Sequence, residues 1–234
     1  MRPFNPLYIL EVFFELLPFL PVTILILAGS VFFGSLLGFI LAKAKVSGRK
    51  TPRLLADTYT AMMRCTPPIV LLFIVYYGLP ELLLSTLGLD INNIEKGIFV
   101  LVTYTLLFGA TMSEIMRSSY ESIDKGQWEA AVSIGLSPFQ AFYRIMLPQA
   151  TVVALPNFCN VLINLMKDGA LAFTIGLIDV MGKGTLIISR NFGAYALETY
   201  IALALLYWGL TLIIENSFGM LEKTLSRGKR SIAD

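Results

Sequence analysis

Residues 21–42 read PVTILILAGSVFFGSLLGFILA, a run of 22 residues that contains no charged side chain. A lipid bilayer has a hydrocarbon core about 30 Å thick, and an α-helix that rises about 1.5 Å per residue crosses it in roughly 20 residues. The run therefore predicts a membrane-spanning helix. Outward from it, further long and mostly apolar stretches lie at residues 54–80, 97–113, 145–166 and 191–214. We therefore expect an all-α membrane protein with five transmembrane helices.

Small residues recur at every fourth position of the first helix. They are Ser30, Gly34, Gly38 and Ala42. Residues four apart share one helix face, and small side chains let two helix backbones approach closely. This face therefore predicts tight helix packing. The sequence leaves open whether the partner is a helix of the same chain or a second copy.

The overall composition supports a membrane protein. Of the 234 residues, 56% are hydrophobic and 15% are charged, whereas soluble domains carry about 25% charged residues. The basic and acidic residues nearly balance, and the net charge of +2 is too small to indicate a nucleic-acid partner. The chain has no histidine. The two cysteines, Cys65 and Cys159, are far apart in apolar surroundings, where both are expected to be buried. We expect no catalytic residue and no metal site, and a surface in contact with membrane lipid.

Basic residues are unevenly distributed among the predicted connections. The first connection carries five of them and no acid: Lys43, Lys45, Arg49, Lys50 and Arg53. Lysine and arginine are enriched in cytoplasmic loops. This connection is therefore expected in the cytoplasm, which places the N-terminus outside and the C-terminus inside.

No linker or change in composition divides the chain, so residues 1–234 are expected to form a single transmembrane domain. Residues 1–17 are apolar but include Glu11 and Glu15, and they are too short and too charged to span a membrane. They predict an interfacial amphipathic helix that precedes a five-helix core at 20–222. Residues 223–234 are expected to form a cytoplasmic tail.

The connection at residues 124–148 is patterned like two short helices joined by a turn. Asp124 and Gln127 resemble a capping box, and Gly135 suits the end of the first helix. Ser137 and Pro138 then suit the start of a second helix. Four apolar residues on this element cannot all face lipid: Trp128, Ile134, Leu136 and Phe139. The pattern leaves two readings open, docking into another protein or folding back along the membrane surface.

The same connection resembles the EAA loop of ABC importer permeases, the membrane subunits of ATP-driven importers. That family has Glu-Ala-Ala, then a glycine four residues on, then Ile-x-Leu-Pro. The matching residues here are Glu129, Ala130, Ala131, Gly135, Ile145, Leu147 and Pro148. The resemblance implies that these residues form a coupling helix, which fits a groove on a cytoplasmic ATP-binding subunit.

The resemblance is closer still to the polar amino-acid permease branch. That branch carries E-x-x-R before the EAA loop, F-R-G-T-P in helix 2 and L-L-K-D-T-S-L in helix 4. The corresponding segments here are EIMR at 114–117, MRCTP at 63–67 and LMKDGAL at 165–171. The resemblance covers roughly residues 20–222, and it implies the same five-helix fold in a bacterial cytoplasmic membrane.

The family also implies a set of partners. These are two cytoplasmic ATP-binding subunits, a second permease copy or a paralogue, and an extracytoplasmic amino-acid-binding protein. The chain itself has no G-x-x-x-x-G-K-[ST] motif for binding nucleotide phosphates. ATP and Mg²⁺ are therefore expected on the partner subunits, with no cofactor bound by this chain.

Charged residues inside the predicted helices mark a candidate substrate path. A lone charge in the bilayer centre costs at least about 2.5–3.5 kcal/mol, so each must face protein or water. The candidate residues, with their neighbours, are Arg64, Thr66, Pro67, Glu114, Lys167, Asp168 and Gly169. They either form structural ion pairs, for instance Arg64 with Glu114 or Asp168, or they receive the carboxylate and ammonium groups of an amino acid.

Departures from the branch pattern bear on the substrate. Cys65 replaces the usual glycine, and Gly169 and Ala170 replace threonine and serine. The loss of two hydroxyl groups favours a less polar or bulkier substrate, such as cystine or another sulfur-containing amino acid. The main alternative function is an ion-coupled secondary amino-acid transporter, which usually shows inverted repeats. A membrane enzyme would require a catalytic constellation, which the sequence does not contain.

Overall fold

The computed structural model describes residues 4–230, with side chains up to residue 225, so residues 1–3 and 231–234 of the predicted terminal segments lie outside it. The regular elements of the described residues are helical. They are α1 (Pro6–Leu16), α2 (Leu20–Val46), α3 (Lys50–Cys65), α4 (Pro68–Phe73), α5 (Leu79–Leu87), α6 (Lys96–Glu121), α7 (Lys125–Ser133), α8 (Pro138–Ala141), α9 (Leu147–Gly169), α10 (Val180–Arg190) and α11 (Ala196–Arg230). Short 3₁₀ turns follow α1 and α9, and π turns follow α4 and α8.

Five helical stretches of the described chain are long and apolar enough to cross a membrane. These are Pro6–Val46, Pro68–Leu87, Lys96–Glu121, Pro138–Ile175 and Ala196–Leu225. The predicted number of spans is confirmed. The orientation of the termini stays a prediction.

The centre of the fold is the pair α2 and α6, which lie side by side and run in the same direction. Gly29 of α2 meets Leu101 of α6, and Gly38 meets Met112. A Cβ atom added to Gly38 would lie 2.8 Å from the Met112 Cβ and 3.1 Å from the Gly109 carbonyl oxygen. The small residues therefore allow close packing inside one chain. The alternative, that this face binds a second copy, is wrong because α6 already covers it.

The second predicted span is not one helix. α3 ends at Cys65, Thr66 and Pro67 adopt extended backbone with ψ of 125° and 136°, and α4 begins at Pro68. Two consecutive prolines remove two helical donors and force the preceding residue out of the helical region. The Thr66 hydroxyl donates a 2.8 Å hydrogen bond to the Met62 carbonyl at the end of α3. The consecutive prolines predict a bend in this span, and the structure shows a complete break.

The first helix packs along α10 and α11. Val12 and Leu16 of α1 are fully buried in a cluster with Val180, Ala202 and Leu203. The Glu15 carboxylate receives Lys183 at 2.9 Å and Arg190 at 3.3 Å. The predicted N-terminal helix is present, while its depth in the bilayer stays a prediction. The sequence reading missed α10, which lies within a predicted connection.

Candidate functional site

The coupling-loop candidate is a short helix held between two caps. The Asp124 carboxylate accepts a 2.7 Å hydrogen bond from the Gly126 amide and starts α7, without the predicted partnership with Gln127. Gly135 ends the turn after α7 with φ of +87°, a left-handed conformation that favours glycine. Ser137 and Gln140 form a reciprocal capping box that starts α8. The two-helix pattern is therefore confirmed, although only the second helix carries a complete capping box.

Large apolar side chains on this loop point away from the chain. We call Val132, Ile134, Phe139 and Tyr143 the loop patch. Ile134 is 78% exposed, Phe139 71% and Tyr143 59%, and the rings of Phe139 and Tyr143 stack. Trp128 and Leu136, the other two apolar residues that the sequence singles out on this element, are half-buried. The outward apolar surface is therefore centred on the turn at Gly135.

The EAA residues divide into exposed and buried positions. Glu129 and Ala130 are exposed on α7, whereas Ala131 is buried against the chain. Ile145 and Leu147 are half-buried and Pro148 is exposed, where the π turn passes into α9. Gln149 donates to the Ile145 carbonyl at 3.0 Å. The motif therefore supplies both an outward carboxylate and the residues that attach the loop to α9.

A buried lysine links three helices close to this loop. The Lys45 side chain on α2 is fully buried, and its ammonium group donates to Thr60 Oγ1 of α3 at 2.7 Å and to Ser113 Oγ of α6 at 3.0 Å. It also donates to the Glu114 carboxylate, whose other oxygen receives Arg117 Nη2 at 2.7 Å. We call these five residues the Lys45 cluster. The cluster joins α2, α3 and α6 near the end of α6 that leads into α7.

The Lys45 cluster corrects two expectations. Lys45 is not in a connection, because α2 continues to Val46. The hypothetical pair of Arg64 with Glu114 is not formed, since Lys45 and Arg117 already occupy the Glu114 carboxylate. The sequence did contain a signal for Lys45. It lies three residues after Ala42, on the same helix face as the small residues that contact α6.

The first half of the candidate substrate path lies at the break between α3 and α4. Arg64 is exposed in the last turn of α3, and among the described residues it makes no ion pair. Its neighbour Met63 packs in a cluster with Leu106, near the middle of α6. Cys65 is exposed, contrary to the expectation that both cysteines are buried, while Cys159 is buried. The break therefore places the Arg64 cation next to the Met63 and Arg64 carbonyls, whose helical donors the two prolines remove.

The second half lies at the end of α9. Lys167 is exposed, Asp168 and Gly169 are half-buried, and the Tyr104 hydroxyl donates to the Asp168 carbonyl oxygen. α4 packs against the 3₁₀ turn Ala170–Ile175 that follows α9. The two interrupted regions are therefore neighbours. Glu114 is not part of them, because it belongs to the Lys45 cluster.

A small interior cavity lies beside the end of α9. Thr23, Ser30, Tyr104 and Asp179 line it, and the buried Ser30 hydroxyl has no hydrogen-bond partner in the described chain. The Asp179 carboxylate accepts from the Gly182 amide at 2.9 Å and from the Thr23 hydroxyl at 3.3 Å. Burial raises the pKa of Asp179 above its ordinary value. The sequence reading did not single out this residue, and across residues 4–230 no group of three Cys, Asp or Glu side chains is arranged to hold a metal ion.

Comparison with known proteins identifies related chains. A family model described as "Binding-protein-dependent transport system inner membrane component" matches residues 34–227. The L-cystine transport system permease protein TcyL of Bacillus subtilis (strain 168) is 43% identical over 92% of this chain and 88% of its own length. The probable amino-acid ABC transporter permease protein PatM of Vibrio harveyi is 36% identical over 88% of this chain and 90% of its own length.

A solved structure has the same architecture. A chain from the crystal structure of an amino acid ABC transporter with histidines superposes with a TM-score of 0.81 at 26% sequence identity. The match covers 95% of this chain and 100% of that chain.

Proposed function

Because this chain belongs to the family of binding-protein-dependent transport system inner membrane components, we propose that its loop at residues 124–148 couples transport to ATP hydrolysis on partner subunits. The chain is an amino-acid ABC importer permease of the bacterial cytoplasmic membrane. It is a transport component without an ATPase site of its own, and its family works with ATP-binding subunits. The secondary transporter is not favoured, because the relatives are ABC permeases.

The loop patch is the observation that carries the coupling role. The exposed Glu129 carboxylate lies on the same loop as the exposed apolar side chains of Ile134 and Phe139. A protein groove accommodates both, because it buries the apolar side chains and pairs the carboxylate at its rim. Two cytoplasmic ATP-binding subunits would each receive the loop of one permease chain, and a second copy or a paralogue supplies the other loop. ATP and Mg²⁺ bind on those subunits.

The loop is attached so that its movement reaches the membrane helices. α7 follows directly from α6, and the π turn after α8 continues into α9. When ATP draws the two subunits together, α7 moves with them as a rigid piece. The displacement then passes to α6 and α9 and switches the passage between inward-open and outward-open states.

The substrate that we propose is L-cystine, delivered by an extracytoplasmic binding protein. The support is the relative TcyL, a cystine permease by name, together with Cys65 and Gly169 at positions where the branch has glycine and threonine. Arg64 and Lys167 present cations for carboxylates, and Asp168 presents an anion for an ammonium group. Thr66, Pro67 and Gly169 shape the interruptions at which these groups lie.

Co-purification tests the coupling role. The tagged chain, solubilised gently, should retain a cytoplasmic ATPase in stoichiometric amount, and Glu129→Lys should abolish this capture because it reverses a charge at the contact. Gly135→Asp should do the same, since a side chain disfavours φ of +87°. The matched control is Glu81→Lys, which changes an exposed acid on α5. Retention of the ATPase by Glu129→Lys would refute the coupling role.

Uptake tests the substrate separately. Vesicles that contain the whole transporter should accumulate cystine in an ATP-dependent manner, and excess unlabelled cystine should compete better than glutamine or arginine. Preferential uptake of glutamine or arginine would refute the cystine assignment and leave the coupling role standing.

A further inference from the structure

One face of α9 is polar and uncovered along the membrane span. Asn157, Asn160, Asn164 and Lys167 are all exposed, and they are spaced by three, four and three residues. At about 100° per residue, this spacing places them within an arc of roughly 80° over about 15 Å of helix. We call the first three of them the amide stripe. None of its side chains makes a hydrogen bond within the described chain.

The exposed faces of the other spans have the opposite character. On α2 the exposed side chains include Leu25, Phe32, Leu36 and Ile40, and on α11 they include Leu205, Trp208 and Ile213. Such faces suit contact with lipid tails. The exposed faces of α2 and α11 are therefore apolar, whereas the exposed face of α9 carries amide side chains.

The amide stripe is unsuited to lipid. A carboxamide in hydrocarbon loses its hydrogen bonds with water and gains none in return, so polar side chains within spans face the protein interior or a water-filled cavity. A groove between α9 and α11 is also polar, because Asn160 lines it together with Glu215 and Glu222. Two carboxylates therefore lie beside Asn160, which suits a water-filled space rather than lipid.

We propose that the amide stripe forms a wall of the passage through which the amino acid moves, completed by the second permease chain. This inference rests on the proposed function, and it adds residues outside the motifs that carry the family resemblance. The stripe begins one turn from Lys167 and Asp168 and runs along α9 toward the coupling loop. Carboxamides both donate and accept hydrogen bonds and carry no charge. They therefore solvate the carboxylate and the ammonium of a zwitterion in turn without holding either.

Cysteine labelling tests the location of the stripe. In a Cys65→Ser, Cys159→Ala background, Asn160→Cys and Asn164→Cys are exposed in native membranes to a cationic methanethiosulfonate reagent. The controls are Leu36→Cys and Leu205→Cys, which are also exposed but lie on the apolar faces. Because a charged reagent enters water far more readily than hydrocarbon, the stripe cysteines should react at least about tenfold faster. Equal rates at stripe and control positions would overturn the proposal.

Transport variants test whether the wall contributes to the passage. Asn160→Leu should lower the uptake rate by about tenfold, because it removes hydrogen bonds available to the moving substrate, and Asn160→Gln should restore most of it. Capture of the ATPase should be unchanged in both variants. Unchanged uptake in Asn160→Leu would overturn the role of the stripe. Cysteine labelling does not depend on ATP, so it tests the location of the stripe separately from the coupling role. Refutation of the coupling role would appear in ATPase capture, and refutation of the stripe in the labelling rates.

Discussion

The α2–α6 interface and the loop patch use apolar residues in opposite ways. At the interface, glycines bring two backbones together, and Phe108 and Met112 of α6 are buried within the same chain. On the loop, Ile134, Phe139 and Tyr143 project outward and most of each side chain is exposed. The interface is complete within one polypeptide, whereas we propose that the loop is completed by a partner subunit.

This difference separates the contacts that hold the permease together from those that we propose couple it to ATP hydrolysis. Close-packed interfaces resist small displacements and transmit them as rigid movements. A loop with an uncovered apolar patch contributes little to the stability of the isolated chain, and it offers its surface to binding. Changes at the interface should therefore act on folding, and changes at the patch should act on assembly.

The largest expected effect is at the interface. Gly38→Leu places a side chain where even a Cβ atom lies 2.8 Å from Met112, so α2 and α6 must separate. We expect a loss of about 3 kcal/mol or more in the free energy of unfolding. Denaturation of the purified chain in detergent measures this. The control is Gly209→Leu on α11, where no atom lies within 4 Å of an added Cβ. A Gly38→Leu chain as stable as the control would contradict the packing argument.

An intermediate effect is expected at the Lys45 cluster. Lys45→Met removes the buried ammonium and leaves Glu114 with Arg117 alone. Glu114 is partly exposed and keeps one partner, so the expected loss is about 1–3 kcal/mol, below that of a fully buried pair.

A double-mutant cycle sharpens this prediction. The double variant Lys45→Met, Glu114→Gln should lose less free energy of unfolding than the sum of the losses in the two single variants. The reason is that the Glu114 charge, which Lys45→Met leaves without its partner, is absent from the double variant. Lys43→Met is the matched control, since Lys43 is exposed on the same helix. Additive losses would show that the pair does not couple.

The smallest effect on stability is expected at the loop patch. Ile134→Ser removes an apolar side chain that is 78% exposed, so the free energy of unfolding should change by less than about 0.5 kcal/mol. Capture of the ATPase should nevertheless fall strongly, because the side chain would be buried in the complex. Phe192→Ser, at a 98% exposed residue between α10 and α11, should leave capture unchanged. Equal capture by Ile134→Ser and the wild type would remove the distinction between the two regions.

Some features of the structure were predictable from the sequence and others were not. The spans were predictable because runs such as 21–42 are set by bilayer thickness, a constraint that acts on each helix separately. The turn at Gly135 and the cap at Ser137 were predictable because both are local. The break at Thr66–Pro67 was predicted only as a bend. Lys45 was assigned to a connection, because a charge near a helix end is usually exposed.

The sequence alone determined the class of the protein, the number of its spans and the position of the patterned loop. These follow from chain-local quantities, namely the length of apolar runs, turn residues and motif spacing. Only the tertiary structure decided that the small-residue face packs on α6, that Glu114 pairs with Lys45 and Arg117 rather than Arg64, and that α9 exposes an amide stripe. Each of these depends on which helices become neighbours. That choice arises from packing between residues distant in sequence, which periodicity within one helix does not encode.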